Sequence, residues 1–309
     1  MSAARRSATG VYFVDGKLQI VELESNKTGV ELLGLAQFDL NGSYTPEGLE
    51  SDESITELEE AFSRAEEECN IQFENILVCL DPKAYWIKCW PQLPDGSSKL
   101  DHAQVRWETE QFLSDEIAEY GVDFAFTSHC GIAVASRKRA LEIYLDLCEA
   151  AGLTDPDFDV APLALFNAFE ASDSIQDDPQ LVLDIGVSGA SALLLIEGDL
   201  AALDTWPWQS DVQSDVEPLE ILSDRIESMA KRTGHAELPA DFWMAGLAES
   251  DAEWESKLVD RFSASVTLFD PFAGVERGQC RCSDPALLET THRFAVAAGL
   301  AQRGLSEPR

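Results

Sequence analysis

The residues best suited to chemistry lie in one short segment, where an apolar run is interrupted by a carboxylate, glycines and serines. Residues 181–196 read LVLDIGVSGASALLLI, which predicts a buried strand, a tight turn and a second buried strand. Small residues at such a turn leave backbone N–H groups able to surround a phosphate, and a carboxylate beside them can hold a hydrated metal ion. The candidate residues of this phosphate site are Asp184, Gly186, Ser188, Gly189 and Ser191.

The elements that must position this segment occur in the same order in both halves of the chain. The first half reads as two short strands joined by Asp15-Gly16, a third strand at 30–38, an acidic helix and a strand at 76–80. An Asp-Gly pair between two strands is typical of a type I′ hairpin turn. The second half repeats three strands, a helix and a strand from residue 181 onward. This duplication predicts an α/β protein with the actin-like ATPase fold, in which two ribonuclease-H-like halves hold ligand where strands end.

Residues 84–153 read as an inserted module between the halves. They contain predicted strands, a helix near 102–114 and a second helix capped by Gly152. The expected domains are a first domain at 1–176 that contains the insertion, a second domain at 177–288, and a C-terminal helix at 289–309 that returns to the first domain.

The charge of the chain excludes several classes of partner. Fifty-seven acidic residues against 22 basic ones give a formal net charge of -35, which repels phosphate backbones and anionic lipid surfaces. Neither nucleic acid nor direct membrane insertion is expected, since no apolar run approaches the length of a membrane span, about 20 residues. The acidity fits either a protein from a high-salt cytoplasm or an ordinary acidic protein. At 309 residues and 45% hydrophobic content, the chain is long enough for two packed cores.

Catalytic and metal-binding patterns are absent from the sequence. The four histidines fall in no nucleophile pattern, and neither a G-x-S-x-G nor a Walker-type motif is present. The seven cysteines are odd in number and mostly lie in apolar runs, which indicates a reducing compartment. Cys280 and Cys282, with His292 nearby, lack the second cysteine pair of a typical metal site. We therefore expect neither catalytic residues nor a bound metal.

Seven segments, in one order along nearly the whole chain, carry a resemblance to a known family. They are IVELE at 20–24, LDHAQVRWETEQFL at 100–113, GIAVASRKRALEIYLDLCEAAGL at 131–153, FDVAPLALFNAFE at 158–170, LVLDIGVSGASALLLIEGDL at 181–200, DPF at 270–272 and FAVAAGLAQRGL at 294–305. The sequence resembles the PilM proteins of type IV pilus assembly, which are relatives of the cell-division actin homologue FtsA.

The resemblance implies a cytoplasmic actin-like protein with an inserted 1C-type subdomain. Such proteins bind the short cytoplasmic N-terminal tail of the inner-membrane protein PilN, in a groove between the first subdomain and the insertion. The type II secretion platform uses a similar fold. The resemblance places one helix of the insertion near this groove, and its candidate partner-binding residues are Trp107, Glu108, Gln111 and Phe112. The alternative interpretation is that Trp107 and Phe112 belong to the core and Glu108 to the surface.

The resemblance also implies three nucleotide-binding segments, and the first departs from the family pattern. The family's Asp-Ile-Gly-Ser-Ser-Ser falls on residues 12–17, where Tyr12 replaces the metal-facing carboxylate and Val14 replaces the first glycine. A β-branched residue does not readily adopt the conformations that such loops need. Lys17 can reach a phosphate from this position or serve as an exposed hairpin lysine.

The adenosine segment departs as well, because the family's glycine pair falls on Gly246 and Leu247. The leucine adds a side chain where the backbone must approach the purine closely. Only the segment around Asp184 stays near the family pattern. Two of the three segments have therefore lost glycines that nucleotide binding needs.

These observations predict a non-enzymatic cytoplasmic scaffold with a degenerate nucleotide cleft, peripheral to the inner membrane through its partners. The expected partners are the tail of a PilN-like protein and the platform and motor proteins, with self-association left open; no cofactor is expected. The alternative is an ATP-binding switch or slow ATPase, in which the loop at Asp184 binds Mg-ATP and changes polymerisation or partner choice. A sugar-kinase-like enzyme of the same superfold lacks a recognisable catalytic base or sugar pocket motif.

Overall fold

The chain folds into two compact units, each built from discontinuous stretches of sequence. The first unit comprises residues 1–85, 137–174 and 270–309, and the second comprises residues 86–136 and 175–269. A computed structural model describes the chain over residues 5–41, 44–45, 52–92, 101–172, 174–208, 217–234, 237–246 and 250–306.

Strands and helices alternate along the described chain. Its strands are β1 (Arg6–Val14), β2 (Lys17–Ser25), β3 (Val30–Asp39), β4 (Ile76–Leu80), β5 (Tyr85–Pro91), β6 (Tyr120–Phe126), β7 (Cys130–Arg137), β8 (Asp157–Val160), β9 (Gln180–Ile185), β10 (Gly189–Ile196), β11 (Asp199–Pro207), β12 (Asp241–Ala245), β13 (Ser265–Leu268) and β14 (Arg281–Cys282). Its α-helices are α1 (Asp52–Cys69), α2 (His102–Phe112), α3 (Lys138–Ala150), α4 (Ala161–Glu170), α5 (Pro218–Arg232), α6 (Asp251–Phe262) and α7 (Ala295–Ser306).

The first unit is built around a six-stranded sheet with the order β14-β3-β2-β1-β4-β8. β1, β2 and β3 run antiparallel, whereas β4 and β8 run parallel to β1. The turn between β1 and β2 has a φ of 48° at Asp15 and 72° at Gly16. Positive φ at both central residues is what a type I′ turn requires, so the predicted hairpin is confirmed.

Helices cover both faces of this sheet. Leu58, Phe62 and Ala65 of α1 are buried in one cluster with Val11 of β1, because positions three and four apart share a helix face. The neighbouring Gly10 faces α7 instead, since successive residues of a strand point to opposite faces. α7 also contacts β2, β4 and α4.

The second unit contains a five-stranded sheet with the order β11-β10-β9-β12-β13. β9, β10 and β11 are antiparallel, and β12 and β13 run parallel to β9. This arrangement repeats the order β3-β2-β1-β4-β8 of the first sheet, so the duplicated topology predicted from the sequence is confirmed. Leu222, Ile226 and Met229 of α5 lie in the core beneath it.

The inserted module forms a separate sheet with the order β5-β7-β6. Thr127 Oγ1 donates a hydrogen bond to Leu200 O at 2.6 Å, and the backbone N–H of Ser128 donates to Asp199 Oδ2 at 2.8 Å. These bonds join the loop before β7 to the start of β11. Residues 86–136 therefore group with the second unit, which differs from the expected assignment of the whole insertion to the first domain.

The end of the second domain also differs from the expected limit at residue 288. The backbone N–H of Glu276 donates to Val30 O at 3.0 Å, and that of Leu32 donates to Glu276 O at 2.8 Å. β14 then pairs in parallel with β3. Residues 270–288 therefore belong to the first unit, because their backbone hydrogen bonds extend its sheet. No local pattern in the sequence predicts this pairing of two distant segments.

Candidate functional site

Residues of the predicted phosphate site meet at one edge of the second sheet. Asp184 lies near the end of β9, and strand register places it beside Ser191 of β10 and Ala245 of β12. Since β9 and β12 are parallel, their carboxyl ends reach the same edge, where ligands bind in open α/β sheets. Ser191 is buried, and its hydroxyl donates to Thr205 Oγ1 at 3.3 Å. The Ser191 hydroxyl is therefore turned to its neighbouring strand, and Asp184 stays the predicted ligand of a hydrated metal ion.

Gly246 directly follows β12 and passes close over β9. Its φ is +103°, and a Cβ at this position would lie 2.5 Å from both Asp184 Oδ1 and Ile185 O. The chain can therefore pass here only without a side chain. The sequence assigned Gly246 and Asp184 to separate segments of the cleft, but the structure brings them together. Leu247, which was predicted to crowd the purine, lies outside the described residues.

The turn between β9 and β10 is closed by its own backbone. The Gly186 N–H donates to Gly189 O at 2.9 Å, and Val187 at the tip is 51% exposed. A Cβ at Gly189 would lie 2.5 Å from Trp206 O. The close approach of β11 therefore explains why residue 189 is a glycine. The N–H of Gly186 is used in a hydrogen bond within the turn.

Trp208 holds this turn from the end of β11. Its backbone N–H donates to Ser188 O at 3.0 Å, and its Nε1 donates to Gly186 O at 2.8 Å. The indole stacks on Trp254 of α6, with ring centroids 5.6 Å apart. Two hydrogen bonds and an aromatic stack thus tie the predicted phosphate loop to the second sheet and to α6.

The other predicted phosphate segment, residues 12–17, belongs to the first unit. Tyr12 is buried, and the Phe13 ring stacks on Tyr44 with centroids 5.2 Å apart. Lys17 lies opposite Asp39 in the pairing of β2 with β3, and its Nζ is 2.5 Å from Asp39 Oδ1. The hairpin therefore uses Lys17 for an ion pair with the neighbouring strand.

The other residues considered as metal ligands were Cys280 and Cys282, near the end of the sequence. Cys280 Sγ lies 3.5 Å from Cys282 Sγ, and burial, aided by the contact with Cys282, raises the pKa of the Cys280 thiol well above its usual range. Within the described ranges, no group of three or more His, Cys, Asp or Glu side chains is arranged to hold a metal ion.

Helix α2 exposes large aromatic side chains. Trp107 is 57% and Phe112 is 50% exposed, so the alternative interpretation of both as core residues is wrong. The helix buries only Val105 and Thr109, which lie one turn apart and form too narrow a stripe to bury the aromatic positions as well. Of the other two predicted partner residues, Gln111 is exposed and Glu108 is half-buried.

β5 lies beneath the C-terminal end of α2 and adds aromatic side chains to the same surface. The Trp86 ring stacks on Phe112 with centroids 5.8 Å apart and lies 6.1 Å from Trp90. Lys88 Nζ is 3.1 Å from the Phe112 ring centroid and 5.4 Å from that of Trp90. We call Trp86, Lys88, Trp90 and Phe112 the aromatic surface; Trp107 lies about 140° around α2 from Phe112, as five positions at 3.6 residues per turn require.

Sequence reasoning missed the three β5 residues of the aromatic surface. A signal was present, because Trp86, Lys88 and Trp90 occupy alternate positions and therefore share one face of a strand. What the alternation could not reveal is which face α2 covers, since that depends on how the insertion folds back on itself.

The geometry can be compared with proteins of known structure or function. No family model and no curated protein matches the sequence. A chain from the structure of the PilM-PilN type IV pilus biogenesis complex is 22% identical, with a TM-score of 0.73 over 97% of this chain and 99% of that chain. A protein with an actin-like ATPase fold and unknown function from Bacteroides thetaiotaomicron is 10% identical, with a TM-score of 0.51 over 86% of this chain and 92% of that chain. The chain therefore has the actin-like ATPase fold, as the sequence predicted.

Proposed function

We propose that this chain is a non-enzymatic scaffold of a type IV pilus, or related type II secretion, inner-membrane platform. In this role it binds the N-terminal cytoplasmic tail of a PilN-like membrane protein. The observation that carries the proposal is the exposure of Trp107 and Phe112 on α2, the helix that the family resemblance assigns to partner binding. Similarity along 97% of the chain to a protein from the PilM-PilN complex supports the same role.

The aromatic surface has the properties of a peptide-docking site. Exposed tryptophan and phenylalanine side chains cost solvation free energy, and aromatic anchors contribute much of the binding energy of protein interfaces. Phe112 lies at the end of α2, and Trp86 and Trp90 extend the surface across β5. Apolar side chains of a short extended tail can occupy such a surface without a folded partner domain.

A scaffold role is favoured over ATP hydrolysis because predicted phosphate-binding groups already form bonds within the protein. The N–H of Gly186 is engaged within its turn, and two carbonyl groups of that turn accept hydrogen bonds from Trp208. Lys17 forms an ion pair with Asp39. A nucleotide would have to replace the bonds of the Gly186 N–H and of Lys17, and buried Tyr12 supplies no carboxylate for its metal ion.

The proposed location is the cytoplasmic side of the inner membrane, reached through the membrane partner. No helix in the described stretches is long and apolar enough to cross a bilayer. A net charge of -35 repels anionic headgroups. Attachment through the tail of a membrane protein is consistent with both properties.

Replacement of Trp107 by alanine is expected to weaken capture of the partner tail about tenfold, as for an exposed aromatic anchor. The measurement is fluorescence anisotropy with a synthetic peptide of the cognate membrane protein's N-terminal tail, at low and high salt. Leu268→Ala is the matched control, because Leu268 is 41% exposed on β13, away from the insertion's own sheet. Failure of the folded wild-type protein to bind the tail at every salt concentration would contradict the proposal.

A calorimetric titration with Mg-ATP in high salt is expected to show no saturable binding at micromolar concentrations. The physical reason is that three groups expected to bind phosphate, the Gly186 N–H, the Ser191 hydroxyl and the Lys17 ammonium group, already have protein partners. Asp184→Ala, which removes the remaining candidate metal-facing carboxylate, is expected to give the same titration as the wild type. Saturable binding that disappears in Asp184→Ala would instead support the ATP-dependent switch.

A further inference from the structure

Lys88 is a cation surrounded by aromatic rings at the centre of the aromatic surface. It shares one face of β5 with Trp86 and Trp90, and the Phe112 ring lies over its ammonium group at 3.1 Å from the centroid. Attraction between a cation and the face of an aromatic ring stabilises this position. The rings accept no conventional hydrogen bond, so they provide no acceptor for the three N–H donors of the ammonium group.

The charges near Lys88 give it no close carboxylate partner. Among the residues that the structure describes, it forms no ion pair, whereas Lys17 and Lys257 each lie within 2.7 Å of a carboxylate oxygen. Partial burial lowers the pKa of Lys88, Glu108 opposes this effect, and Arg232 adds to it. An amine in this setting gains from any acceptor that a partner brings.

Docking of a peptide on the aromatic surface would remove the remaining water from Lys88. A buried donor without an acceptor lowers affinity, so a tail that binds well must supply an oxygen atom at this point. A carboxylate on the tail is disfavoured, because a chain with net charge -35 repels acidic segments. A backbone carbonyl carries no net charge, and every extended peptide offers one at each residue.

We propose that Lys88 holds the docked tail by donating a hydrogen bond to one of its backbone carbonyl groups. This role rests on the proposed function and makes Lys88 a binding residue of the same surface. The aromatic rings supply apolar contact area for the side chains of the tail, whereas the charged donor between Trp86 and Trp90 binds its backbone. It also predicts that the tail lies extended across β5.

The first experiment compares Lys88→Met with Lys257→Met in the tail-binding assay. Methionine keeps an unbranched apolar side chain and removes the donors, so Lys88→Met is expected to bind about tenfold more weakly, as for a lost charged hydrogen bond. Lys257 also lies over an indole ring, with Nζ 5.5 Å from the Trp254 centroid, and its replacement is expected to leave affinity unchanged. Lys88→Arg, which retains charge and donors, is expected to bind within about threefold of the wild type.

The second experiment identifies the acceptor by double-mutant cycles. Each polar side chain of the tail is replaced by alanine in turn, and the ratio of wild-type to Lys88→Met affinity is expected to stay near tenfold for every tail variant. A ratio that falls to one for a single tail variant would assign the acceptor to that side chain and overturn the backbone role.

Two further outcomes separate this inference from the proposed function. Tail binding that depends on Trp107 but is equal in Lys88→Met and wild type would refute the role of Lys88 alone. Equal loss in Lys88→Arg and Lys88→Met would trace the effect to disturbed aromatic packing and would also refute it. Absence of tail binding by the folded wild-type protein would overturn the proposed function, and the role of Lys88 with it.

Discussion

Replacement of Gly299 by alanine is expected to lower the free energy of unfolding by about 3 kcal/mol or more, the cost of severe overpacking in a core. A Cβ at this position would lie 1.7 Å from Ala164 O, 2.6 Å from Ala164 C and 3.0 Å from Ala168 N. These atoms belong to the backbone of α4, so no side-chain rotation can relieve the clash. α7, which also contacts β1 and β2, would have to move away from α4.

Urea unfolding followed by circular dichroism, in a buffer of high salt, measures this effect. Gly278→Ala is the matched control, because a Cβ there would meet no atom within 4 Å. It is expected to change the free energy of unfolding by less than about 0.5 kcal/mol. Equal urea midpoints of unfolding for Gly299→Ala and Gly278→Ala would show that α7 does not pack on α4 through Gly299.

Replacement of Glu22 by glutamine is expected to stabilise the protein at pH 8 and to have little effect near pH 4.5. Glu22 is 1% exposed on β2. Its Oε1 accepts a hydrogen bond from the Gln72 N–H at 3.1 Å, whereas Oε2 has no partner among the described residues. Burial raises the pKa of this carboxyl from 4.5 to about 7; Glu74 and Glu24 add to the increase, and the Gln72 N–H opposes it.

The direction of the effect follows from proton binding. Between pH 4.5 and about 7 the folded protein keeps a proton on Glu22 that the unfolded chain has released, so stability falls as pH rises through this window. The contribution lost above pH 7 is about 3 kcal/mol, since one unit of pKa corresponds to about 1.4 kcal/mol. Glutamine cannot ionise, so the stability difference between variant and wild type is expected to grow by that amount from pH 4.5 to pH 8.

Urea unfolding at the two pH values checks this expectation. Glu60→Gln on the exposed side of α1 is the control, and it is expected to change the free energy of unfolding by less than about 0.5 kcal/mol at both pH values. A difference between Glu22→Gln and wild type that is the same at pH 4.5 and pH 8 would show that Glu22 titrates in its ordinary range.

Local patterns were sufficient to predict most of the fold. Alternating and apolar runs predicted β4 at residues 76–80 with its observed bounds, and the Asp15-Gly16 pair predicted the first hairpin. The repeated order of elements predicted two sheets of matching topology. These predictions succeed because a strand, a helix face or a two-residue turn is specified by residues that are close in sequence.

Less of the candidate site could be predicted from local sequence patterns. The resemblance predicted α2 as the partner helix, but the burial of Trp107 and Phe112 was open until the fold was known. Whether a helical residue is covered depends on the breadth of the surface packed against it. In α2 that surface contacts chiefly Val105 and Thr109, so the aromatic positions stay exposed.

The sequence was enough to establish the actin-like architecture, the acidic surface and the departures of residues 12–17 from the family's nucleotide pattern. Tertiary structure decided which groups meet: Gly246 over Asp184, Trp208 on the turn at Gly186, and Lys88 beneath Phe112. It also decided that residues 86–136 group with the second unit and residues 270–288 with the first. Each of these depends on contacts between residues far apart in the chain, and such contacts leave no local periodicity in the sequence.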